Sequence, residues 1–255
     1  MDAVCPKYQR ELYVDLLIRC IANTIYKDDP CQPGATFYDE ATRRKGADWP
    51  SRAHSMAGVQ RLKNLADLTQ RTIDEAVEGN FIETGVWRGG CCILIKGVLA
   101  ANCASGRKVY VCDSFEGLPV VNTLTYPADK GLAFLADVQE LKIPLEEVRN
   151  NFAGYGLLDD DIVFVKGFFS DTLPVLDPGK LALIRLDGDL YESTIVALDN
   201  LYPKLSPGGY IIIDDYGAIA ACAEAVEDYR KKHAILAPLT EVDWTGVWWQ
   251  KPRDQ

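Results

Sequence analysis

Four aspartates stand directly after two apolar runs in the last third of the chain. They are Asp187 and Asp189 after the first run, and Asp214 and Asp215 after the second. Short apolar runs bounded by proline or glycine are typical of buried parallel strands, and open α/β folds bind ligands at the carboxyl ends of such strands. So much negative charge in one crevice requires a cation or a held proton. The spacing therefore predicts a site for a hard divalent metal.

The residue types at this site narrow the chemistry. Oxygen-only donor sets suit Mg²⁺ or Ca²⁺, whereas zinc prefers histidine or cysteine. Three carboxylates would leave room on Mg²⁺ for a hydroxyl-bearing substrate, and a fourth could remove the hydroxyl proton. Asp189 and Asp215 each precede a predicted helix, so helix capping alone is the alternative interpretation. One role does not exclude the other.

A second feature follows the first predicted strand, where a glycine-containing turn leads into a helix. Its sequence is Glu83-Thr84-Gly85-Val86-Trp87-Arg88-Gly89-Gly90. The turn lacks the G-x-G-x-x-G fingerprint, which disfavours a nucleotide-dependent dehydrogenase. Glu83 ends this strand and suits a ligand ammonium group, and Asp113 ends the next strand, where it can accept hydrogen bonds from ribose hydroxyls. This pairing is typical of S-adenosylmethionine sites; an ordinary glycine helix entry beside a solvated Asp113 is the alternative. A third turn carries Gly167 and Phe168, and its aromatic rings would flank an adenine or simply cover the sheet.

Alternating strand and helix patterns must position these turns. Predicted strands are 81–84, 109–112, 162–165, 181–186 and 210–213, and predicted helices are 91–101, 145–152, 193–201 and 220–231. This alternation indicates a parallel sheet with helices on both faces, and two short β runs at 239–242 and 247–249 predict a terminal antiparallel pair. Helical periodicity also covers 11–25 and 54–77, with a charged, loop-like stretch between them that is typical of a mobile lid. We therefore predict an N-terminal helical extension and lid at 1–78 and a Rossmann-like core at 79–255, within one structural domain.

Composition excludes several classes of partner. The net charge of −10 over 255 residues argues against nucleic acid, whose phosphates need a basic face. No apolar run approaches the roughly 18 residues of a membrane span, and no secretion signal is visible, so we expect a cytoplasmic protein without a membrane partner. Eight cysteines without a C-x-x-C pair predict reduced structural thiols. The basic run from Arg43 to Lys45 predicts solvated surface.

On these residues the chain resembles the macrocin O-methyltransferase family, whose members methylate deoxysugar hydroxyls of mycinamicin-type macrolides and of novobiocin. The resemblance extends over nearly the whole chain. The stretches that carry it are Leu12-Tyr13-Val14-Asp15, Ala53-His54-Ser55-Met56, the Glu83 to Gly90 turn, Asp113-Ser114-Phe115, Asn151-Phe152, Asp187-Gly188-Asp189, Ser206-Pro207-Gly208-Gly209 and Asp214-Asp215-Tyr216.

The resemblance implies a class I methyltransferase fold, a seven-stranded, mostly parallel sheet of order 3-2-1-4-5-7-6, with S-adenosylmethionine and Mg²⁺ as cofactors. It implies that Asp187, Asp214 and Asp215 bind Mg²⁺ and that Asp189 is the general base. The predicted cofactor contacts are Ser55, Met56, Glu83, Thr84, Gly85, Val86, Trp87, Arg88, Asp113, Ser114, Phe115, Gly167 and Phe168. The predicted acceptor contacts are Leu132 and Tyr191.

The implied reaction is methylation of a sugar hydroxyl on a glycosylated small molecule, with a vicinal diol chelated by the metal. A Mg²⁺-dependent catechol or phenol O-methyltransferase is an alternative, because it shares the metal chemistry. A non-catalytic cofactor-binding partner is another, although four retained carboxylates argue against it. The resemblance and the leucine-rich N-terminal helix predict a homodimer or homotetramer. The segment 28–37 departs most from the family, so the sugar, its hydroxyl and the aglycone stay open.

Overall fold

A computed structural model describes residues 7–32, 34 and 36–253. Seven strands within these residues form one sheet of order β3-β2-β1-β4-β5-β7-β6. The strands are β1 Asn80–Thr84, β2 Val109–Asp113, β3 Ile162–Lys166, β4 Leu181–Leu186, β5 Leu205–Ile213, β6 Thr240–Glu241 and β7 Val247–Gln250. The first five pair in parallel, and β7 runs antiparallel to both β5 and β6. The predicted fold class, strand order and terminal antiparallel pair are confirmed.

Eight α-helices accompany the sheet in the described residues. They are α1 Lys7–Ile21, α2 Glu40–Lys45, α3 Gly58–Asp74, α4 Gly90–Ala101, α5 Leu145–Gly154, α6 Phe169–Thr172, α7 Tyr191–Leu201 and α8 Ala220–Lys232. The first three precede β1, in the region predicted as the helical extension. Its division from the core, and its role as a lid, stay predictions.

Alternate residues of each strand face two separate hydrophobic clusters, because successive side chains of a strand point to opposite faces. Phe81 and Leu183 belong to the cluster that packs α1, α3 and α4 onto the sheet. Their neighbours Ile82 and Ile184 belong to the cluster that packs α7 and α8 onto the other face. Both faces are therefore covered, which leaves the strand ends for the site.

Several helix boundaries differ from the sequence prediction, and the largest shifts are in α1 and α3. Helix α1 ends at Ile21, four residues before its predicted end at Ile25, because Asn23 adopts a left-handed backbone with φ 49°. Helix α3 begins at Gly58, four residues after the predicted start at His54. Residues 54–57 therefore lie outside the helix, and Ser55, Met56 and Ala57 line a cavity at the ends of the strands.

The prediction that the basic run is solvated surface is wrong for Arg43, which is 1% exposed. Its Nε donates to both carboxylate oxygens of Asp48, at 3.0 and 2.9 Å, and its Nη1 donates to Asp28 at 2.8 Å. A buried guanidinium is tolerated when it is paired and hydrogen-bonded. Arg44 does lie at the surface, where it pairs with Glu40 at 2.7 Å.

Composition also predicted reduced cysteines and no membrane-spanning segment. The seven cysteines in the described part of the chain are free thiols, and Cys5 lies outside it. No helix of the described residues is both long enough and apolar enough to span a bilayer.

Candidate active site

The structure brings the four aspartates together at the ends of two neighbouring strands. Asp187 follows β4, and Asp214 follows β5. Asp187, Asp214 and Asp215 each offer a carboxylate oxygen, and these oxygens lie within 4.8 Å of one another. Asp189 joins them, since its backbone N–H donates to Asp215 Oδ2 at 3.1 Å. A hydroxyl held at this cluster would be in reach of both metal-binding and proton-accepting oxygens.

Two arginines that the sequence analysis missed form ion pairs with this cluster. Arg185, the second-to-last residue of β4, donates Nη1 to Glu83 and, at 2.7 Å, to Asp187, and its Nη2 pairs with Asp214. Arg61, on α3, pairs with the other oxygen of Asp214. Arginine inside an otherwise apolar strand must find buried acidic partners, and that signal was present in the run Leu-Ile-Arg-Leu.

The positive charges of Arg185 and Arg61 do not neutralise all the carboxylates around them. Burial would raise the pKa of Asp214, but Arg185 and Arg61 outweigh it and lower the pKa below its usual value. Burial and the neighbouring carboxylates raise the pKa of Asp187 and Asp215, and they raise the pKa of Asp189 to about 7. An excess of negative charge therefore remains at the cluster.

This donor set fits a hard divalent cation. Three carboxylate oxygens at short mutual distances match the oxygen ligands that Mg²⁺ prefers, with positions left for water or substrate. A positive charge between them would favour their ionised forms and so lower the raised pKa values. Asp187, Asp214 and Asp215 are the residues that would hold it.

A cleft beside the cluster matches the predicted cofactor site. It encloses about 760 Å³ and includes Asp187 and Asp189. The predicted cofactor contacts that line it are Met56, Gly85, Trp87, Asp113, Ser114 and Phe168. The sequence prediction missed its further apolar lining by Leu118, Pro119, Leu141, Phe169 and Val196. A thioether and aromatic rings beside a carboxylate suit a ligand with an adenine, a ribose and a sulfonium.

Asp113 is fixed by the turns that surround it. Its Oδ2 accepts the Val86 N–H at 2.8 Å, and its Oδ1 accepts the Phe115 N–H at 2.8 Å. Burial nevertheless raises the pKa of this carboxyl group. The Ser114 hydroxyl also contacts Oδ1, at the longer distance of 3.4 Å. A carboxylate has about four acceptor sites, so a ribose hydroxyl would take the place of this long contact.

Gly85 allows the turn after β1 to contact the turn after β4. It has φ 81°, and a Cβ at this position would lie 1.6 Å from the Asp187 carbonyl oxygen. Such an overlap is prohibitive, so glycine is required here by space as well as by backbone angle. The cofactor turn and the aspartate cluster are thus placed by one close contact.

Several predicted contacts lie elsewhere. Glu83 is fully buried, where it accepts hydrogen bonds from Arg185 and from the Cys92 thiol at 2.8 Å, and burial raises its pKa to about 7 although both partners act to lower it. Ser55 and Val86 line the neighbouring cavity described below, as does Glu83. Thr84, Arg88, Phe115, Gly167, Leu132 and Tyr191 are not among the lining residues of either cavity. All these assignments stay predictions.

The second cavity, about 1040 Å³, adjoins the first and contains all four aspartates. The two share Met56, Trp87, Leu141, Asp187 and Asp189. The sequence prediction missed the apolar and aromatic walls of this second space, which are Trp49, Leu135, Ile219 and Trp244. Loops distant in sequence supply them, so no local pattern could have indicated them. The aspartates stand where the two spaces meet.

This sheet order, with a cleft at the ends of β1, β2 and β4, is that of a class I, S-adenosylmethionine-dependent methyltransferase. The family model described as Macrocin-O-methyltransferase (TylF) matches residues 19–251. The chain belongs to that family and is an O-methyltransferase, which confirms the resemblance drawn from the sequence.

Characterised relatives cover almost the whole chain. The 8-demethyl-8-(2,3-dimethoxy-alpha-L-rhamnosyl)-tetracenomycin-C 4'-O-methyltransferase of Streptomyces olivaceus is 49% identical over 94% of this chain and 93% of its own length. The mycinamicin III 3''-O-methyltransferase of Micromonospora griseorubida is 43% identical over 96% of this chain and 98% of its own. The solved structure of the O-methyltransferase NovP is 45% identical, covers 96% of this chain and 100% of its own, and superposes with a TM-score of 0.91.

Proposed function

We propose that the chain is a Mg²⁺-dependent methyltransferase that acts on a sugar hydroxyl of a glycosylated natural product in antibiotic biosynthesis. The observation that carries this proposal is the junction of the two cavities, where Asp187 and Asp189 line both the cleft and the larger aromatic-walled space, and Asp214 and Asp215 line the larger space. The relatives support the substrate class, because their names specify methylation of a rhamnosyl tetracenomycin, of mycinamicin III and of demethyldecarbamoylnovobiocin.

Each side of the junction has its own task. Asp187, Asp214 and Asp215 hold the metal, and the cleft around Met56 and Asp113 holds S-adenosylmethionine. When bound, the cofactor supplies an electrophilic methyl group, and the divalent cation lowers the proton affinity of a neighbouring hydroxyl. The chain itself contributes mainly orientation, since holding two reactants in line accounts for a large part of such a rate enhancement.

Asp189 is the proton acceptor in this proposal. It lines both cavities, and its hydrogen bond to Asp215 fixes the backbone that carries it. Its carboxylate would take the proton from the acceptor hydroxyl as that oxygen forms its bond to the methyl carbon, and the methyl–sulfur bond would break to leave the neutral thioether of S-adenosylhomocysteine. Trp49, Leu135 and Trp244 line the larger cavity, where their apolar surfaces exclude water and receive the rest of the glycoside.

The test uses purified protein, a panel of deoxysugar glycosides and catechols, and release of S-adenosylhomocysteine as the readout. Asp189→Asn should lower kcat by about 10²–10⁴-fold, the usual contribution of a general base, with unchanged affinity for S-adenosylmethionine. EDTA should abolish turnover, and Mg²⁺ should restore it. Asp199→Asn, at an exposed position of α7, is the matched control and should retain full activity.

Each result has a separate meaning. Near wild-type turnover by Asp189→Asn, with EDTA still inhibitory, would show that Asp189 is not the base. Turnover on catechols and none on glycosides would establish the phenol alternative. Cofactor binding without turnover on any acceptor would favour the non-catalytic partner.

A further inference from the structure

Arg61 connects the aspartate cluster to two segments that wall the larger cavity. Its Nη1 pairs with Asp214, its Nε donates to Asp243 at 3.1 Å, and its Nη2 donates to the Gly46 carbonyl at 3.0 Å. Asp243 belongs to the turn between β6 and β7, and Gly46 ends α2. One side chain from α3 therefore contacts three separate elements at the site.

The guanidinium lies in a space that only glycines leave open. A Cβ on Gly46 would stand 2.4 Å from Arg61 Nη2, and a Cβ on Gly246 would stand 3.1 Å from Arg61 Cδ. The side chain is 8% exposed, so its charge depends on Asp214 and Asp243 for compensation. The Trp244 ring completes the surroundings, with its centroid 6.0 Å from Arg61 Cζ.

Arg61 also fixes the orientation of Asp214. Arg185 binds Oδ1 of this carboxylate and Arg61 binds Oδ2, so the carboxylate plane is held at both ends. Each oxygen retains a second lone pair for another partner. Outer partners of this kind orient metal ligands, and losing one typically reduces metal affinity or activity by about 10–100-fold.

We propose that Arg61 is a positioning residue that orients Asp214 for metal binding and ties the cavity walls at Gly46 and Trp244 to the metal centre. This inference rests on the proposed function, because it assumes that the aspartates bind a divalent cation. It adds a coupling between two sites: the same guanidinium that holds the metal ligand also holds the acceptor walls. Any strengthening of metal binding by the acceptor should be matched by an equal strengthening of acceptor binding by the metal, as thermodynamic linkage requires.

The test measures Mn²⁺ binding directly, by electron paramagnetic resonance of the free ion, in protein without acceptor. Arg61→Gln should weaken Mn²⁺ binding by about 10–100-fold and raise the KM for the acceptor, while the Kd for S-adenosylmethionine stays within about twofold, since Arg61 does not line the cofactor cleft. Arg61→Lys keeps the charge but cannot form the fork of hydrogen bonds, so it should also lose Mn²⁺ affinity. Arg71→Gln, on the exposed face of α3, is the matched control.

A second variant keeps the test decisive if the Arg61 variants do not fold. Asp243→Asn places an amide against Arg61 Nε, while its remaining oxygen can still accept the Thr245 and Gly246 N–H groups. It should weaken Mn²⁺ binding several-fold without touching Asp214. If the wild-type protein binds no Mn²⁺, the proposed metal site itself fails. If the wild type binds Mn²⁺ and every folded variant binds it equally well, the metal site stands and the inference about Arg61 is overturned.

Discussion

Asp189 adopts a backbone conformation that few non-glycine residues accept, with φ 59°. Trp87 and Phe115, at the ends of β1 and β2, are also left-handed, with φ 47° and 57°. Each such residue costs on the order of 1–2 kcal/mol, and hydrogen bonds hold all three: Asp189 N–H to Asp215, Trp87 Nε1 to Glu140 at 2.8 Å, and Phe115 N–H to Asp113 at 2.8 Å. Strained residues are common at functional sites, and these three of the eight left-handed non-glycine residues in the described chain lie near the cofactor cleft and the aspartates.

Also at the scale of single residues, titration of His54 should make the stability of the fold depend on pH. Burial and the nearby Arg88 charge lower the pKa of this histidine, and the charge of Asp28 opposes them only weakly. An unfolded chain protonates histidine near its ordinary pKa, about 6.5, while the folded protein protonates His54 only at a lower pH. Stability should therefore fall as the pH drops through 6.5.

The measurement compares urea unfolding of the wild type and His54→Gln at pH 7.5 and 5.5. Glutamine removes the titration, although it also alters the contact between His54 Nδ1 and the Tyr155 hydroxyl. That alteration acts at both pH values, so the readout is the difference between them. The variant should lose less stability on acidification than the wild type, and an equal loss would refute the role of His54.

At the scale of elements, the contact between the β1 and β4 turns should be sensitive to one methyl group. Gly85→Ala forces Cβ against the Asp187 carbonyl oxygen, so the Asp187 turn must move. We expect weaker Mg²⁺ binding and a lower midpoint of thermal unfolding. Gly106→Ala is the matched control, because Gly106 also has positive φ, 75°, but no atom within 4 Å of its Cβ. Equal effects in both variants would mean that backbone strain alone, and not the contact, matters.

Asp129 joins the segment after β2 to the start of α7. It is fully buried, and its carboxylate accepts the backbone N–H groups of Tyr191 at 2.6 Å and Glu192 at 3.1 Å. It therefore caps α7, which begins two residues after Asp189, from a distant part of the chain. Tyr191 contributes its backbone to this contact and donates its hydroxyl to Asp228 at 3.0 Å.

Removing this cap should affect both stability and catalysis. Asp129→Ala should cost about 1–2 kcal/mol of unfolding free energy. It should also lower kcat, because the start of α7, two residues after Asp189, loses the hydrogen bonds that its N–H groups donate to Asp129. Chemical denaturation and steady-state kinetics provide the two readouts. Asp137→Ala changes an exposed residue of the same segment and should leave both unaltered. Wild-type kinetics in a destabilised Asp129→Ala protein would limit Asp129 to a purely structural role.

At the scale of the whole molecule, α1 presents an exposed apolar face. Tyr8, Leu12 and Leu16 lie one helical turn apart and are 69%, 49% and 48% exposed. Residues at this spacing form one stripe, and exposed apolar patches mark interaction sites. We propose that this face forms the contact of the homodimer or homotetramer that the sequence predicted.

Analytical ultracentrifugation tests this proposal. The wild type should sediment as an oligomer at micromolar concentration, and the double variant Leu12→Lys, Leu16→Lys should sediment as a monomer, because charge is excluded from an apolar contact. Leu236→Lys, at an isolated position that is 89% exposed, is the control and should keep the wild-type mass. A monomeric wild type, or an oligomeric double variant, would contradict the proposal that this face of α1 forms the subunit contact.

The local patterns of the sequence were sufficient for the sheet. Strand runs such as Leu181–Leu186 are short and almost wholly apolar, and the same runs appear as buried strands. Helix boundaries were less accurate, as at α1 and α3, because turns and left-handed residues override periodicity. Arg43 was misassigned because its partner Asp28, 15 positions earlier, becomes a neighbour only after the chain folds back on itself, although its other partner Asp48 is five positions away.

The sequence by itself determined that aspartates end two parallel strands, since strand period and glycine turns are local properties. It thereby determined the class of fold and the edge at which the aspartates meet. Only the tertiary structure decided how their charge is held: Arg61 and Asp214 are 153 positions apart, and no local pattern encodes that contact. It also decided which distant loops wall the larger cavity, because side chains from Trp49 to Trp244 converge there through packing of the whole chain.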